Sequence, residues 1–435
     1  MVLRGFIRKI KSNAFYQNIA VVAGGNAFAN LIGVVSAPII TRLYTPQDYG
    51  IFAVFSSVIA ILGSVATLRY SIAIPLPRKT KISNDIIKLS LIVSFLFSLF
   101  ITIVILTFGR FITNKLSLNN IEPYLFFIPI TIFGRGIYNT LTNWAVRKKQ
   151  YKLITRTKVS QGIISAVTKI GLGIIGLKPL GLILGAIIQE FGGNTTLFRK
   201  FFKQTPFFLK KIDFKGIIYV AKRYKKFPLI QTWSHLLLNL GNELPVLLLG
   251  TVFDYKVAGI YGLANKIINV PMFLIGRSVS QVYFGEISNI GIQNSQKIYK
   301  LSKSILKKMF VIGLIPVMLI MAFGPWLFMV VFGQEWHEVG VYARYLTLYI
   351  LTSFIASPFE NVFNLYEKQN LQLILNIIKL SSVVIVFVIS SYLNLSPVNT
   401  IGIYSIIMTI YYIVLSSILF RVLKKASNNI FNKLS

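Results

Sequence analysis

Six basic side chains lie within stretches of the chain that are otherwise apolar: Arg69, Arg135, Lys169, Lys266, Arg277 and Lys379. An ionised side chain at the centre of a bilayer costs roughly 2.5 to 3.5 kcal/mol on insertion scales, so such charges face protein or water. Each cation could pair with a buried acid, reach the interface along its flexible side chain, or bind an anionic ligand such as phosphate. Acids in comparable positions are few, chiefly Glu190, Glu243 and Glu360. We therefore expect an anionic ligand for several of the cations.

Two of these cations share one helix face. Lys266 and Arg277 are separated by eleven residues, which is close to three helical turns, or about 16 Å along the axis. A ligand that moves across the membrane could therefore contact both. The carboxylates Glu243 and Glu360 have an alternative role, because intramembrane carboxylates commonly bind a coupling H⁺ or Na⁺.

The chain also contains an internal duplication. The segment from Leu43 to Phe52 lines up with the segment from Val252 to Tyr261, and the same offset places Asn30 on Asn239. Polar residues recur at helical spacing in corresponding apolar segments of both halves, so they are expected to face protein, water or a ligand. Parallel repeats of this kind are common among transporters.

Membrane helices must position these side chains. Of 435 residues, 54% are hydrophobic and only 13% are charged, against roughly 25% charged in soluble domains. We predict an all-α integral membrane protein with about twelve transmembrane helices of roughly 20 residues each. The predicted division is a first six-helix lobe (1–198), a basic inter-lobe linker (199–226) and a second six-helix lobe (227–435). The predicted spans are 15–43, 50–70, 85–109, 121–143, 157–177, 180–199, 227–251, 257–285, 305–332, 340–366, 370–393 and 398–421.

The charge distribution predicts the orientation. The chain has 46 Lys and Arg against 12 Asp and Glu, a net charge of +34, which in a soluble protein would suggest a nucleic-acid partner. Here the cations flank apolar spans, so anionic membrane lipids are the expected partners and nucleic acid is not. Lys and Arg concentrate in alternate connections, which places those connections, the linker and both termini in the cytoplasm. The basic N-terminus precedes a span that we expect to be retained and not cleaved as a signal.

Two residue types limit the chemistry. The chain has no Cys and only two His, which excludes a disulfide framework, a thiolate nucleophile and a Cys- or His-rich metal site. No cofactor is expected beyond a coupling H⁺ or Na⁺.

Several local motifs resemble the oligosaccharide-lipid flippases of the polysaccharide transporter family, within the multidrug/oligosaccharidyl-lipid/polysaccharide superfamily. The residues that carry the likeness are Asn26, Asn30 and Pro38 before the run Arg42 to Gly50, then Leu68-Arg69-Tyr70 followed by Ala73 to Pro77, and the run Ala258 to Lys266 with Pro271 and Ser280-Gln281-Val282. The likeness covers the whole chain in topology.

The resemblance implies two six-helix lobes related by a pseudo-two-fold axis, around a cationic cavity that opens alternately to each side. It implies a bacterial inner-membrane carrier of an undecaprenyl-pyrophosphate-linked O-antigen or capsule repeat unit, used in lipopolysaccharide or capsule assembly. By this likeness the pyrophosphate contacts Arg135, Lys169, Lys266, Arg277 and Lys379, with Arg69 near the inner end, while Asn30 and Asn239 contact the sugar. A polysaccharide polymerase and a chain-length regulator are the implied protein partners, and a monomer is the implied state.

Other functions remain open from the sequence. A multidrug and toxin extrusion exporter has the same architecture, but it usually relies on acidic residues, whereas this interior is basic. A membrane polysaccharide polymerase would need a large outward or acidic loop, and the long linker contains Asp213 as its only acid. A structural scaffold would not explain the repeated polar stripes. A major facilitator transporter would carry a Gly-Asp-Arg-type signature after the second span, where this chain has Pro75 to Lys81.

Overall fold

The computed structural model describes residues 14–205, 213–366 and 368–434, and the regular elements in these ranges are all helical. They form two compact units that meet in sequence at Gly259 and Ile260. The linker predicted at 199–226 lies partly in 206–212, outside the described residues, and the predicted lobe boundaries stay a prediction. The all-α prediction is confirmed.

The first unit combines long helices with short helical segments. In chain order they are α1 (Ala14–Val35), α2 (Ala37–Leu43), α3 (Pro46–Gly63), α4 (Thr80–Lys115), α5 (Phe127–Arg147), α6 (Tyr151–Ile174), α7 (Leu180–Phe191), α8 (Asn194–Gln204), α9 (Phe214–Arg223) and α10 (Thr232–Val252). Helix α11 (Tyr255–Ile290) contains the boundary between the units. The second unit continues with α12 (Ser295–Phe332), α13 (His337–Ala356), α14 (Asn361–Leu365), α15 (Gln369–Tyr392) and α16 (Pro397–Leu434).

Each of the twelve predicted spans overlaps one helix or two consecutive helices. Three predicted spans are interrupted: the first at Ser36, just before Pro38, the sixth between α7 and α8, and the tenth between α13 and α14. Among the residues that the structure describes, eight helices are long and apolar enough to cross a membrane. Interrupted helices are tolerated at membrane depth where the freed backbone lies against protein or a cavity. The chain is therefore a multi-pass membrane protein.

The two copies of the duplicated motif begin their helices with the same kind of cap. The Thr45 hydroxyl accepts a hydrogen bond from the Asp48 N–H (3.2 Å) and the Asp48 carboxylate accepts one from the Thr45 N–H (3.0 Å), forming a capping box before Pro46. At the equivalent position the Asp254 carboxylate accepts from the Val257 N–H at 2.7 Å. Such side chains satisfy backbone donors that have no acceptor within the helix. The duplication therefore extends from sequence to helix initiation.

The duplicated motifs also contact each other reciprocally. Gly50 of α3 packs against the Tyr255 backbone, and Gly259 of α11 packs against the Pro46 carbonyl and the Gly50 backbone. Under the sequence offset of the repeat, Gly50 corresponds to Gly259 and Pro46 to Tyr255. Gly50 contacts Tyr255, and their counterparts, Gly259 and Pro46, also contact each other. A two-fold axis produces such a pair of equivalent contacts. The repeat predicted from sequence thus contains a local pseudo-two-fold contact.

Each unit has its own core. In the first, Trp144 and Phe201 meet edge to face with ring centroids 5.2 Å apart, in a cluster that includes Ile86, Leu141 and Val220. The second unit has a separate core. Helices α4 and α12 carry many exposed apolar side chains, which is typical of helix faces that contact lipid.

Candidate functional site

Arg69 lies at a sharp turn after α3. Its backbone has the left-handed conformation (φ 63°) that non-glycine residues seldom adopt. The half-buried guanidinium Nη2 lies 2.9 Å from His235 Nε2 on α10. Because Arg can only donate, Nε2 must accept, so His235 is neutral with its proton on Nδ1. The Nε group of Arg69 is buried without a hydrogen-bond partner. The turn thus holds one cation against a titratable side chain.

Arg135 lies on α5, within electrostatic range of the carboxylate of α10. Its Nη1 donates to the Ile59 carbonyl at 3.3 Å, and the side chain is close enough to Glu243 for electrostatic attraction. Ser57 of α3 donates to Glu243 Oε2 at 2.9 Å. Arg135 contacts α3 at Gly63, where a Cβ would come within 2.6 Å of its side-chain Cδ. The hydrogen bond to Ile59 leaves the other guanidinium N–H groups able to bind an anion.

Helix α6 supplies two further cations. Lys169 is only 7% exposed, and its Nζ lies 4.7 Å from the ring centroid of Phe52. The Lys169 backbone carbonyl accepts from the Tyr44 hydroxyl at 2.7 Å. Lys158, half-buried, places its Nζ 4.4 Å from the Tyr138 ring centroid. Such cation–π contacts are worth up to about 2 kcal/mol when desolvated, so aromatic faces replace part of the lost hydration.

In the second unit a buried Lys lies among aromatic residues. Lys379 is 5% exposed and donates to the Tyr412 hydroxyl at 3.1 Å. It also interacts electrostatically with Glu360. Tyr412 lies 5.9 Å from Tyr349 between ring centroids. A buried cation with a carboxylate and a phenol nearby could exchange partners with an anion or a proton.

The remaining predicted residues lie in less enclosed positions. Lys266 is half-buried, and Arg277 is exposed with its guanidinium carbon 5.8 Å from the Phe273 ring centroid. Asn30 is exposed on α1, while Asn239 donates its amide to the His235 carbonyl at 2.7 Å. The structure therefore brings together Arg69 with His235, Arg135 with Glu243, and Lys379 with Glu360. The ligand roles of all these side chains stay a prediction.

Sequence reasoning missed Lys158 as an interior cation. Lys158 lies at the very start of the predicted span 157–177, and its charge is assigned there to the preceding basic connection, whereas α6 already begins at Tyr151. Lys158, Gln161, Ser165 and Lys169 follow one another at intervals of three and four residues. That spacing places them on one helix face. Extending the polar stripe toward the N-terminus would have found Lys158.

Potential metal ligands do not converge in this arrangement. Within 14–205, 213–366 and 368–434, no three His, Cys, Asp or Glu side chains are grouped so as to hold a metal ion. The side chains of the site can pair charges, form hydrogen bonds and exchange protons.

Comparisons with known proteins agree with this architecture. A family model described as "Polysaccharide biosynthesis protein" matches residues 39–341. A search of curated protein sequences gives no match.

Solved structures with a similar fold include transporters. An inward-facing multidrug resistance MATE family transporter of the MOP superfamily gives a TM-score of 0.73 at 15% identity, with 92% of this chain and 96% of that chain covered. An outward-facing multidrug resistance MATE family transporter of the MOP superfamily gives a TM-score of 0.62 at 15% identity, with 94% of this chain and 96% of that chain covered. A MOP superfamily transporter from Pyrococcus furiosus, described as having a binding pocket of reverse polarity, gives 0.62 at 14% identity, covering 95% and 96%. The predicted two-lobe transporter fold is confirmed.

Proposed function

This chain belongs to the polysaccharide biosynthesis protein family, and we propose that it is a membrane transporter that flips a lipid-linked oligosaccharide. The proposed substrate is an undecaprenyl-pyrophosphate-linked O-antigen or capsule repeat unit. It moves from the cytoplasmic to the periplasmic leaflet of a bacterial inner membrane by alternating access. The proposed orientation has both termini in the cytoplasm, so the diphosphate enters from the side on which activated sugars are attached.

The environment of Arg135 carries this proposal. The guanidinium lies inside a span, beside α3 and α10, and one of its groups is used by the Ile59 carbonyl. Arg binds phosphate through two parallel N–H groups, which gives both attraction and orientation. A diphosphate can therefore replace the Glu243 carboxylate as the negative charge that attracts Arg135. A proton or Na⁺ would then bind Glu243, so that neither Arg135 nor Glu243 is left with an unbalanced charge.

The test is lipid flipping by purified protein in proteoliposomes. The liposomes contain a short diphosphate-linked oligosaccharide lipid, and its exposure on the opposite leaflet is followed with a membrane-impermeant sugar-modifying reagent. Loss of a charge-assisted hydrogen bond of roughly 1.5 to 3 kcal/mol predicts that Arg135→Gln slows flipping about ten- to hundredfold. Arg135→Lys should retain part of the rate, because it keeps the charge but not the paired N–H groups.

Arg110→Gln is the matched control. Arg110 is also an Arg on a long helix, but it is exposed and paired with Glu122 at 2.8 Å. Its replacement should leave flipping unchanged. Wild-type protein that does not accelerate flipping, or an Arg135→Gln variant as fast as Arg110→Gln at equal protein density, would refute the proposal.

Glu243 is the proposed coupling residue in the first unit. Ser57 donates to its carboxylate, and Arg135 is the nearby cation, so protonation of Glu243 would release Arg135 to the substrate. We expect Glu243→Gln, which mimics the protonated form, to flip lipid at a rate insensitive to an imposed pH or Na⁺ gradient. A variant that still responds to both gradients like the wild type would exclude Glu243 from coupling. In that case Glu360 is the next residue to replace.

The basic interior also separates this proposal from cation export. A multidrug exporter binds organic cations, which the positive charges of Arg69, Arg135, Lys158 and Lys169 in the first unit would repel. Uptake of a fluorescent lipophilic cation into proteoliposomes provides the comparison. Transport of that cation with no flipping of the lipid would favour the exporter.

A further inference from the structure

A second basic site lies at one end of the first unit, away from the cations inside the spans. The loop after α5, the start of α6 and helix α8 line an open pocket of about 800 Å³. That volume falls within the roughly 300 to 1,000 Å³ of small-molecule sites. Its lining includes six cations and no acid: Lys149, Lys152, Arg156, Arg199, Lys200 and Lys203.

The helical register explains how the cations gather. On α8, Thr196, Arg199, Lys200 and Lys203 recur at the spacing of one helix face, and all line the pocket. Lys152 and Arg156 are likewise four residues apart on α6. Gln150 joins the two walls, because its Nε2 donates to Gln204 Oε1 at 3.0 Å. The basic faces of two helices are thus fixed on either side of one pocket.

The backbone adds to this positive charge. Helix α6 begins at Tyr151, and Gln150 at its N-cap makes no capping hydrogen bond through its side chain. N–H groups in the first turn of a helix lack intrahelical acceptors and carry the positive end of the helix dipole. Gln150, Tyr151 and Lys152 all line the pocket, so the dipole and the side chains favour the same sign of ligand.

The ligand must carry several negative charges. Six like charges around one pocket repel each other, and a bound anion relieves that repulsion. A phosphodiester, the form present in a membrane lipid headgroup, carries a single negative charge, so one phosphate leaves most of the positive charge of the pocket uncompensated. Two phosphates on one molecule match both the charge and the volume better.

The surroundings favour a lipid as the carrier of these phosphates. On α8, Phe198 and Phe202 stack with ring centroids 5.8 Å apart, and Phe202 is exposed. The helix therefore presents aromatic side chains beside its basic face, the combination found at membrane interfaces. We propose that this pocket binds the two-phosphate headgroup of a membrane lipid. This site is separate from the Arg135 site, and its occupancy can be measured without any lipid being flipped.

The experiment uses the full-length protein in nanodiscs and in detergent. Nanodiscs of phosphatidylcholine contain either cardiolipin, which has two phosphates, or phosphatidylglycerol, which has one. Inorganic pyrophosphate and orthophosphate are the soluble counterparts in detergent. Binding is read as an increase in thermal unfolding temperature, since a ligand that binds only the native state stabilises it, and affinities are obtained by titration.

Two charge-matched variants are compared. The pocket variant is Lys152→Gln/Arg156→Gln/Arg199→Gln, and the control is Lys222→Gln/Lys225→Gln/Lys226→Gln, whose side chains are exposed and outside the pocket. The pocket variant should lose about ten- to hundredfold in cardiolipin affinity, because three partly exposed charge contacts each change affinity several-fold. The control should stay within about twofold of the wild type.

The pocket variant should fold normally. Its three side chains are exposed, and removing like charges should leave the ligand-free unfolding temperature unchanged or raise it. If the triple variant nevertheless fails to fold, the single Arg156→Gln replaces it, with an expected affinity loss of a few-fold.

Each result has a definite meaning. Cardiolipin binding that is lost in the pocket variant and retained in the control supports the proposal, and parallel loss of pyrophosphate binding supports the two-phosphate chemistry. Pyrophosphate binding at the pocket without any cardiolipin effect overturns the lipid as the source. Equal affinity for phosphatidylglycerol overturns the two-phosphate preference. Equal losses in pocket and control variants overturn the site itself.

Discussion

The reciprocal glycine contact predicts an unusually strict requirement for two small residues. A Cβ at Gly259 would lie 2.7 Å from the Gly50 nitrogen, and a Cβ at Gly50 would lie 3.0 Å from the Tyr255 Cα and closer still to its carbonyl. These neighbours are backbone atoms, which cannot rotate away as a side chain can. Either α3 and α11 separate or the helix ends distort. Over-packing costs typically 1 to 3 kcal/mol, and we expect each of Gly50→Ala and Gly259→Ala to cost at least about 2 kcal/mol.

The double variant makes the prediction sharper. Both substitutions act on one contact, so once the first has separated the helices, the second meets less resistance. Gly50→Ala/Gly259→Ala should therefore cost at least about 1 kcal/mol less than the sum of the single variants. The assay is reversible unfolding in detergent, supported by the fraction of monodisperse protein after purification.

Gly171→Ala provides the matched control. Gly171 lies within α6 with no atom within 4 Å of a Cβ, so Ala should stabilise the helix by roughly 0.5 to 1 kcal/mol. Wild-type stability in either single variant, or strictly additive losses in the double variant, would refute the reciprocal contact. A loss at Gly171 equal to that at Gly50 would mean that any added methyl group harms folding.

Two further predictions concern charges outside the proposed transport site. Arg147 donates to the backbone carbonyls of Ile74 (3.4 Å), Pro77 and Arg78 (3.1 Å). The Arg147→Gln variant should lose roughly 2 to 4 kcal/mol of unfolding free energy in detergent. A variant that unfolds like the wild type would show that these hydrogen bonds are dispensable. The Asp213 carboxylate accepts a hydrogen bond from the Gly216 N–H at 3.0 Å and forms an ion pair with Lys81 at 3.1 Å. These contacts hold the pKa of Asp213 below the ordinary value of 3.8. Because the folded state favours the carboxylate, its contribution is complete above pH 3.8 and is lost as the pH falls through the lower folded pKa. Limited proteolysis within Phe214–Arg223, the helix that Asp213 caps, should therefore increase in that acidic window, and an Asp213→Asn variant should show the increased cleavage already at neutral pH.

Hydropathy predicted the positions of the helices well, because a bilayer restricts which segments can be buried. The backbone of an apolar segment must satisfy its own hydrogen bonds, so about 20 apolar residues imply a helix almost regardless of neighbours. Interruptions were harder to predict. Pro38 gave a local signal for the break at Ser36, but the break between α7 and α8 occurs at Gly192 and Gly193, where glycine alone does not distinguish a break from close packing.

Pairing between distant residues could not be predicted from one sequence. Ser57 contacts Glu243 across 186 positions of the chain, and Arg69 contacts His235 across 166. Periodicity shows which face of a helix is polar, but which faces meet depends on packing among many helices. The contact between Gly50 and Tyr255 is a partial exception. The internal repeat makes residues near Gly259, the counterpart of Gly50, natural candidates for its partner.

The two arginines of α5 show why residue type and depth do not determine a role. Arg135 and Arg147 are twelve residues apart, which rotates them by about 120° around the helix. Arg147 donates to three carbonyls of the segment that follows α3, so its charge is used to hold the chain. Arg135 donates to one carbonyl and lies near Glu243, so its charge is partly balanced and its remaining donors can change partners. A transport site needs a partly balanced cation such as Arg135. A cation whose charge and donors are fully satisfied by the protein gains little by binding an anion, and a cation with no partner is costly when the site is empty.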